Sequence, residues 1–311
     1  MGENESQNRT TNEREPLTPS TPEDIMTRVI TPLEQQIANR RNRCLFTLYY
    51  PENENGRMTG EDVSSIRSLM ECEGCHHESD VFIHSGGGDI HAAYKLSKLF
   101  QKKCNDIRAL IPEYAKSAAT LLAIACKKIE FSAIAEIGPL DPVFYMEEGA
   151  TPGFSIRDAP KILEEEIENC KNEEVRKLKA EFVIGPMAAK LNPYLLTTVK
   201  NMSPLANTYG KKLLQTQGYS DSDADRILKR LVYESGRTSH GYVIDVDEAT
   251  NLRLHASAMD DETEKETLNL LKFYRLYESR LNNEGNPLET AIFHVTRPLR
   301  PENSNSTPSS P

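Results

Sequence analysis

Three consecutive glycines at 86–88 and a serine at 117 are the residues of this chain whose type and setting best suit chemistry. In I-H-S-G-G-G-D-I-H (83–91) the glycines follow a β-branched and aromatic run and lead straight into a helical pattern. Phosphate binding is one use of such a turn, but it demands G-x-G-x-x-G or G-x-x-x-x-G-K-[ST] spacing. Gly86-Gly87-Gly88-Asp89 has neither, and the acid would repel phosphate. The other use is an anion hole. N–H groups laid bare at a strand-to-helix turn, in the field of the helix N-terminus, favour negative charge developing on a reacting oxygen. Ser117, in A-K-S-A-A-T-L-L-A-I-A, opens a small-residue helix, where its hydroxyl can lie beside the N–H groups of that helix. Spacing leaves two readings open, a helix N-cap and a nucleophile that needs a base to take its proton.

These residues need a scaffold, and the pattern around them supplies one. CLFTLYY (44–50), DVFIHS (80–85), IRALIPE (107–113) and KIEFS (128–132) read as strands. Helical spacing separates them: MTGEDVSSIRSLMEC (58–72) with Thr59 as cap, DIHAAYKLSKLF (89–100) and KSAATLLAIACK (116–127). Strand and helix in alternation predict an α/β fold with a mainly parallel sheet and right-handed crossover helices. Function gathers at the carboxyl ends of such strands, where the glycines and Ser117 both fall. Asp89 suits the dipole of the helix it opens, and the pleat turns His84 into the sheet packing; His91 stands on the far side of the glycines. Beyond Phe144 helices are expected at 162–182, 192–217, 221–234 and 247–254, with loop and strand in SGRTSHGYVID (235–245) and an amphipathic helix at 261–281.

Composition bounds the function. The chain has 311 residues, 38% hydrophobic and 27% charged, which is the make-up of a soluble globular protein with polar extensions. A net charge of -10 without a basic patch argues against a nucleic-acid partner. No signal peptide opens the chain, and SAATLLAIAC (117–126) is about half the length needed to span a bilayer, so the expected compartment is the cytoplasm. M-G-x-x-x-S at Gly2 to Ser6 has the form of a myristoylation signal, which this composition produces by accident. Six cysteines without an export signal read mostly as free thiols. Cys72-Glu-Gly-Cys75-His76-His77 has C-x-x-C-H spacing, but zinc requires four ligands and no second C-x-x-C follows. A polar loop is the preferred reading; no metal or cofactor is expected.

The combination of I-H-S-G-G-G-D-I-H-A-A-Y-K-L, A-K-S-A-A-T-L-L-A-I-A and A-E-I-G-P-L-D-P-V-F resembles the serine dehydrogenase proteinase family, distant kin of the Clp protease proteolytic subunit and signal peptide peptidase A. The likeness covers about 45–254. It implies a ClpP/crotonase-like fold and a serine peptidase with Ser117 as nucleophile and the N–H groups of Gly87 and Ala118 as oxyanion hole. Gly86 stands where Clp-type relatives commonly have proline. Those relatives carry a His shortly after the serine helix, where this chain reads Gly138-Pro139-Leu140-Asp141-Pro142. His240 falls where the family has its His, so it is the preferred base. A lysine, as in signal peptide peptidase A, is the other option, and Lys116 is the nearest. Archaeal members often follow that His with Asp; Gly241 stands there, leaving Asp141 and Asp245 as candidates for the orienting acid.

The resemblance further implies peptide or protein substrates, a homo-oligomer, and compatibility with an ATPase partner. Residues 1–38 are expected to be a disordered extension, 39–258 the peptidase domain, 259–299 a C-terminal helix with a strand, and 300–311 a disordered tail. Two rivals stand beside peptide hydrolysis. One is an inactive scaffold that kept the fold, motivated by the missing Clp-type His and by Gly241. The other is a crotonase-like enzyme acting on an acyl thioester through the same oxyanion hole.

Overall fold

The computed structural model describes residues 21–53, 56–73, 78–140, 143–146, 149–189, 192–234, 241–288 and 290–299. A six-stranded sheet forms its centre. Its strands are β1 (Cys44–Tyr49), β2 (Glu78–His84), β3 (Asp106–Ile111), β4 (Lys128–Phe131), β5 (Ala256–Ala258) and β6 (Ile292–Thr296). They lie in the order β6-β1-β2-β3-β4-β5, and only β6 runs antiparallel to its neighbour. Parallel neighbours need crossovers, here α2 (Gly60–Glu73), α3 (Ile90–Lys103) and α4 (Ala118–Ile124). The α/β expectation with a mainly parallel sheet holds.

Period-two alternation sorts each strand's side chains between two faces. Phe46, Leu48, Val81, Ile83, Ala109 and Ile111 bury on one, against α3 and α4. Leu45, Tyr49, Phe82 and Leu110 bury on the other, against Leu270, Leu271 and Tyr274. Those last three lie on α10 (Asp261–Asn283), the tenth of the labelled helices. Between α4 and α10 run α5 (Gly153–Glu168), α6 (Glu173–Lys179), α7 (Pro193–Thr216), α8 (Asp221–Leu228) and α9 (Val246–Asn251). The single helix expected at 162–182 is two, because Asn172 caps a new start by accepting the N–H groups of Glu174 and Val175. Among the described residues no helix is long and apolar enough to cross a membrane.

The N-terminal expectation needs correction. Pro22–Ile25, a π-turn over Met26–Ile30, and α1 (Thr31–Arg41) are helical where a disordered extension to residue 38 was expected. Ile25, Ile30 and Ile37 are fully buried in the α10 face of the core. Their helix is held by tertiary packing rather than by local propensity. Cys44 also departs from expectation, being disulfide-bonded, while Cys104, Cys126 and Cys170 are free. The Cys72–His77 loop, apart from the backbone of residues 72 and 73, lies outside the described residues.

At the amino ends of the strands, charge is locked away from the site. Asp80 is 1% exposed and takes Arg43 Nε at 2.6 Å as well as Arg41, while Arg43 Nη2 also donates to Asp106 Oδ1 at 2.8 Å. Breaking a buried pair strands its partners. Asp80→Ala is therefore expected to lower stability by about 3–5 kcal/mol, measured by urea unfolding; a loss below about 1 kcal/mol would show that water reaches these arginines.

Candidate active site

Chain geometry first forces the two loops together. Ser85, just after β2, bridges Ala115 in parallel: its N–H donates to Tyr114 O at 3.2 Å and its C=O accepts Lys116 N–H at 2.9 Å. Ala115 pairs in turn with Ile137, and Ile137 exchanges bonds of 3.0 and 3.1 Å with Ile244. A small ribbon Ser85–Ala115–Ile137–Ile244 thus runs beside the main sheet and carries the glycine turn and the serine turn on adjacent strands.

Two of the three glycines are required by this crowding. Gly87 has φ +107°, and a Cβ there would lie 2.8 Å from Ser117 Cβ and 3.1 Å from Ala118 N. Gly88 has φ +148°, and a Cβ there would lie 2.3 Å from Met58 N. Met58 N–H donates to Gly87 O and Asp89 N–H to Met58 O, both at 2.8 Å, which clamps the turn from outside. Gly86 has open space where a Cβ would go. Asp89 caps α3 by accepting His91 N–H at 2.8 Å, as its place at the helix start suggested.

Ser117 sits at φ +49°, ψ −121°. A non-glycine residue so placed stores strain of order 1–3 kcal/mol and persists only where its surroundings dictate it. A serine on a sharp strand-to-helix turn, hydroxyl exposed, is the geometry of a nucleophile elbow. Its hydroxyl makes no capping bond, so the N-cap reading gives no account of it. Thr120 braces the turn from behind, donating to Ala115 O at 2.7 Å and accepting Gly138 N–H at 3.1 Å. Among the described residues Ala118 N–H and Gly88 N–H have no hydrogen-bond partner, whereas Gly87 N–H donates to Ser85 Oγ at 3.1 Å.

Ser117 opens into a cleft of about 710 Å³ whose walls include Met58, Ile90, Tyr114, Leu140, Met202 and Ala206. The last two come from α7, which docks on α3 through the stacked rings of Tyr94 and Tyr209, 4.0 Å apart. Lys116 is salt-bridged to Glu136, and its stem runs over Gly138, where a Cβ would meet Lys116 Cδ at 2.5 Å. Asp245 is an exposed N-cap of α9, accepting Glu248 N–H at 2.9 Å, and takes no part in the cleft wall. His240 and Asp141 lie outside the described residues.

Sequence reasoning missed a cluster at the cleft's end. His84 is fully buried, with Nε2 3.4 Å from Glu52 Oε1 and Nδ1 3.9 Å from Glu113 Oε2. The Glu52 carboxyl is held down to about 2, first by the adjacent His84 ring and then, against its own desolvation, by Arg275. Donor atoms of Glu52, His84 and Glu113 lie within 4.8 Å of one another, close enough to share a cation. Arg275 already pairs with both carboxylates, so the cation is internal and no metal is assigned.

Residues 58–171 match the family described as ClpP-like SDH-type serine proteinase. An uncharacterized protein of Methanocaldococcus jannaschii is 25% identical over 249 residues, 78% of this chain and 77% of its own. Two mutant structures of the 1510-N membrane-bound stomatin-specific protease are similar. The serine-to-alanine mutant has 13% identity and a TM-score of 0.34, over 63% of this chain and 79% of its own. The lysine-to-alanine mutant, in complex with a substrate peptide, has 12% identity and a TM-score of 0.35, over 68% of this chain and 93% of its own.

The glycines make a direct test of the turn. Gly86→Ala is expected to stay within about 0.5 kcal/mol of the parent, whereas Gly87→Ala and Gly88→Ala each lose more than about 1 kcal/mol. Equal losses at all three positions, measured by chemical denaturation, would contradict the backbone geometry described.

Proposed function

We propose that the protein is a serine peptidase that acts on peptide or protein substrates through Ser117, residues 58–171 matching the ClpP-like SDH-type serine proteinase family. The carrying observation is the uncapped hydroxyl on a strained turn, beside the free N–H of Ala118. Ser117 Oγ attacks the scissile carbonyl, and the N–H of Ala118 with one N–H of the glycine turn holds the tetrahedral oxyanion. The resemblance implies Gly87 as the second donor. Gly87 N–H is already given to Ser85 Oγ, so the free N–H of Gly88 is the donor favoured here. One such donor is typically worth about 10²–10³ in kcat.

His240 is the proposed base, and the ribbon supports it. Ile244 lies two strand spacings from Ala115, roughly 10 Å. A four-residue span from Ile244 reaches up to about 13 Å, enough to bring His240 to the Ser117 turn. Lys116 is the weaker choice because Glu136 holds its ammonium. With Asp245 spent on its helix cap, Asp141 is the acid that remains from the two proposed. Assembly into a homo-oligomer in the cytoplasm completes this reading.

Labelling with a fluorophosphonate tests it. The parent protein is expected to be modified at Ser117, and Ser117→Ala not at all. His240→Ala should slow modification by at least about 10²-fold, the scale of general-base assistance. Lys116→Ala should retain modification. A folded parent that never labels would remove the peptidase reading in favour of an inactive scaffold, and a Ser117→Ala variant that turns over an acyl thioester would favour crotonase-like chemistry.

A further inference from the structure

We propose that Arg275, on the C-terminal helix α10, is a positioning residue that ties the loop after β1 to the loop carrying Ser117. Its link to catalysis rests on the peptidase reading of Ser117; its effect on the two loops does not. Arg275 lies outside the family-matched stretch. Its guanidinium takes Glu52 Oε1 through Nε at 3.1 Å and Nη2 at 2.5 Å, and the same Nη2 contacts Glu113 Oε2. Glu52 is part of the cleft wall, as is Tyr114, the neighbour of Glu113. Three residues separate Glu113 from Ser117. One guanidinium therefore links the loop after β1 to the loop that leads to Ser117, and both loops contribute to the cleft wall.

The surroundings make that span consequential. His84 lies beneath both carboxylates, its ring 4.3 Å from Tyr114 and stacked at 5.4 Å on Tyr49, and neither ring nitrogen has a hydrogen-bond partner. Tyr49 OH is in turn held by Glu278 at 2.5 Å. Among these side chains Arg275 is the one fixed cation. Without it, two carboxylates would face each other beside a buried ring, and like charges at such range repel. Displacement of Glu113 would load the ribbon directly, since Glu113 O accepts Glu136 N–H at 2.8 Å and Tyr114 O accepts Ser85 N–H. The anchor itself is rigid. Tyr274, beside Arg275, is fully buried, stacks on Tyr49 at 5.0 Å and donates to Glu34 Oε1 at 2.6 Å.

Partly exposed ion pairs contribute little to global stability, so the effect belongs in local order and rate rather than in Tm. Arg275→Gln, Arg275→Lys and the double variant Glu113→Gln/Arg275→Gln are to be compared with the parent chain by amide hydrogen exchange over 51–53, 56–59 and 113–118, and by fluorophosphonate kinetics. In Arg275→Gln, exchange in these segments is expected to rise at least about fivefold while Tm moves little. The limiting rate of Ser117 modification should fall about tenfold at unchanged probe affinity, as misplacement of a reacting group does. Arg275→Lys should keep most protection. The double variant should regain protection over Arg275→Gln because one of the two repelling carboxylates is gone, a rescue that mere loss of packing would not give. Unchanged exchange in Arg275→Gln, or a double variant no better protected than the single one, would overturn the proposal. If the parent never labels, the peptidase reading fails while the exchange comparison still decides the clamp.

Discussion

Everything at the candidate site depends on one close approach, that of the Gly87 backbone to Ser117. A Cβ at 87 would sit 2.8 Å from Ser117 Cβ, so the serine turn is backed by bare main chain. That contact lets Ser117 keep φ +49° without displacing its neighbour. It also puts the N–H groups of the glycine turn beside the start of α4. The clamp of Met58 on Gly87 and Asp89 holds the turn from the other side. Strain at the serine is thus matched by hydrogen bonds around it rather than by a favourable local conformation.

The sheet's two faces divide the supporting work. Under one face, α3 and α4 start at the glycine and serine turns and aim their N-termini at the cleft. On the other, α10 packs over Tyr49 and Phe82 and sends Arg275 to Glu52 and Glu113, just past the carboxyl ends of β1 and β3. Charge is segregated in the same way. Asp80, Arg41 and Arg43 are sealed at the amino ends of the strands, far along the strands from the carboxyl ends where the glycine and serine turns lie.

Much of this was legible in the residues alone, and for physical reasons. Period-two burial in CLFTLYY and DVFIHS follows from the pleat, and glycines crowded between strand and helix announce close backbone contact. The role of each glycine was not legible, because it depends on what stands opposite: Ser117 for Gly87, Met58 for Gly88, open space for Gly86. Ile25, Ile30 and Ile37 were overlooked for a related reason. Their helix lies in a polar stretch and is secured by α10, more than 200 residues later.

The cluster around His84 shows the same limit in its sharpest form. His84 was correctly expected to turn inward, yet its partners come from three distant parts of the chain: Glu52 after β1, Glu113 before the serine turn, and Arg275 on α10. Local pattern registers a residue's own burial and says nothing of which charges will meet it there. Electrostatic complementarity among such side chains is fixed only when the loops close. It is also the means through which a C-terminal helix can act on a site it does not itself line.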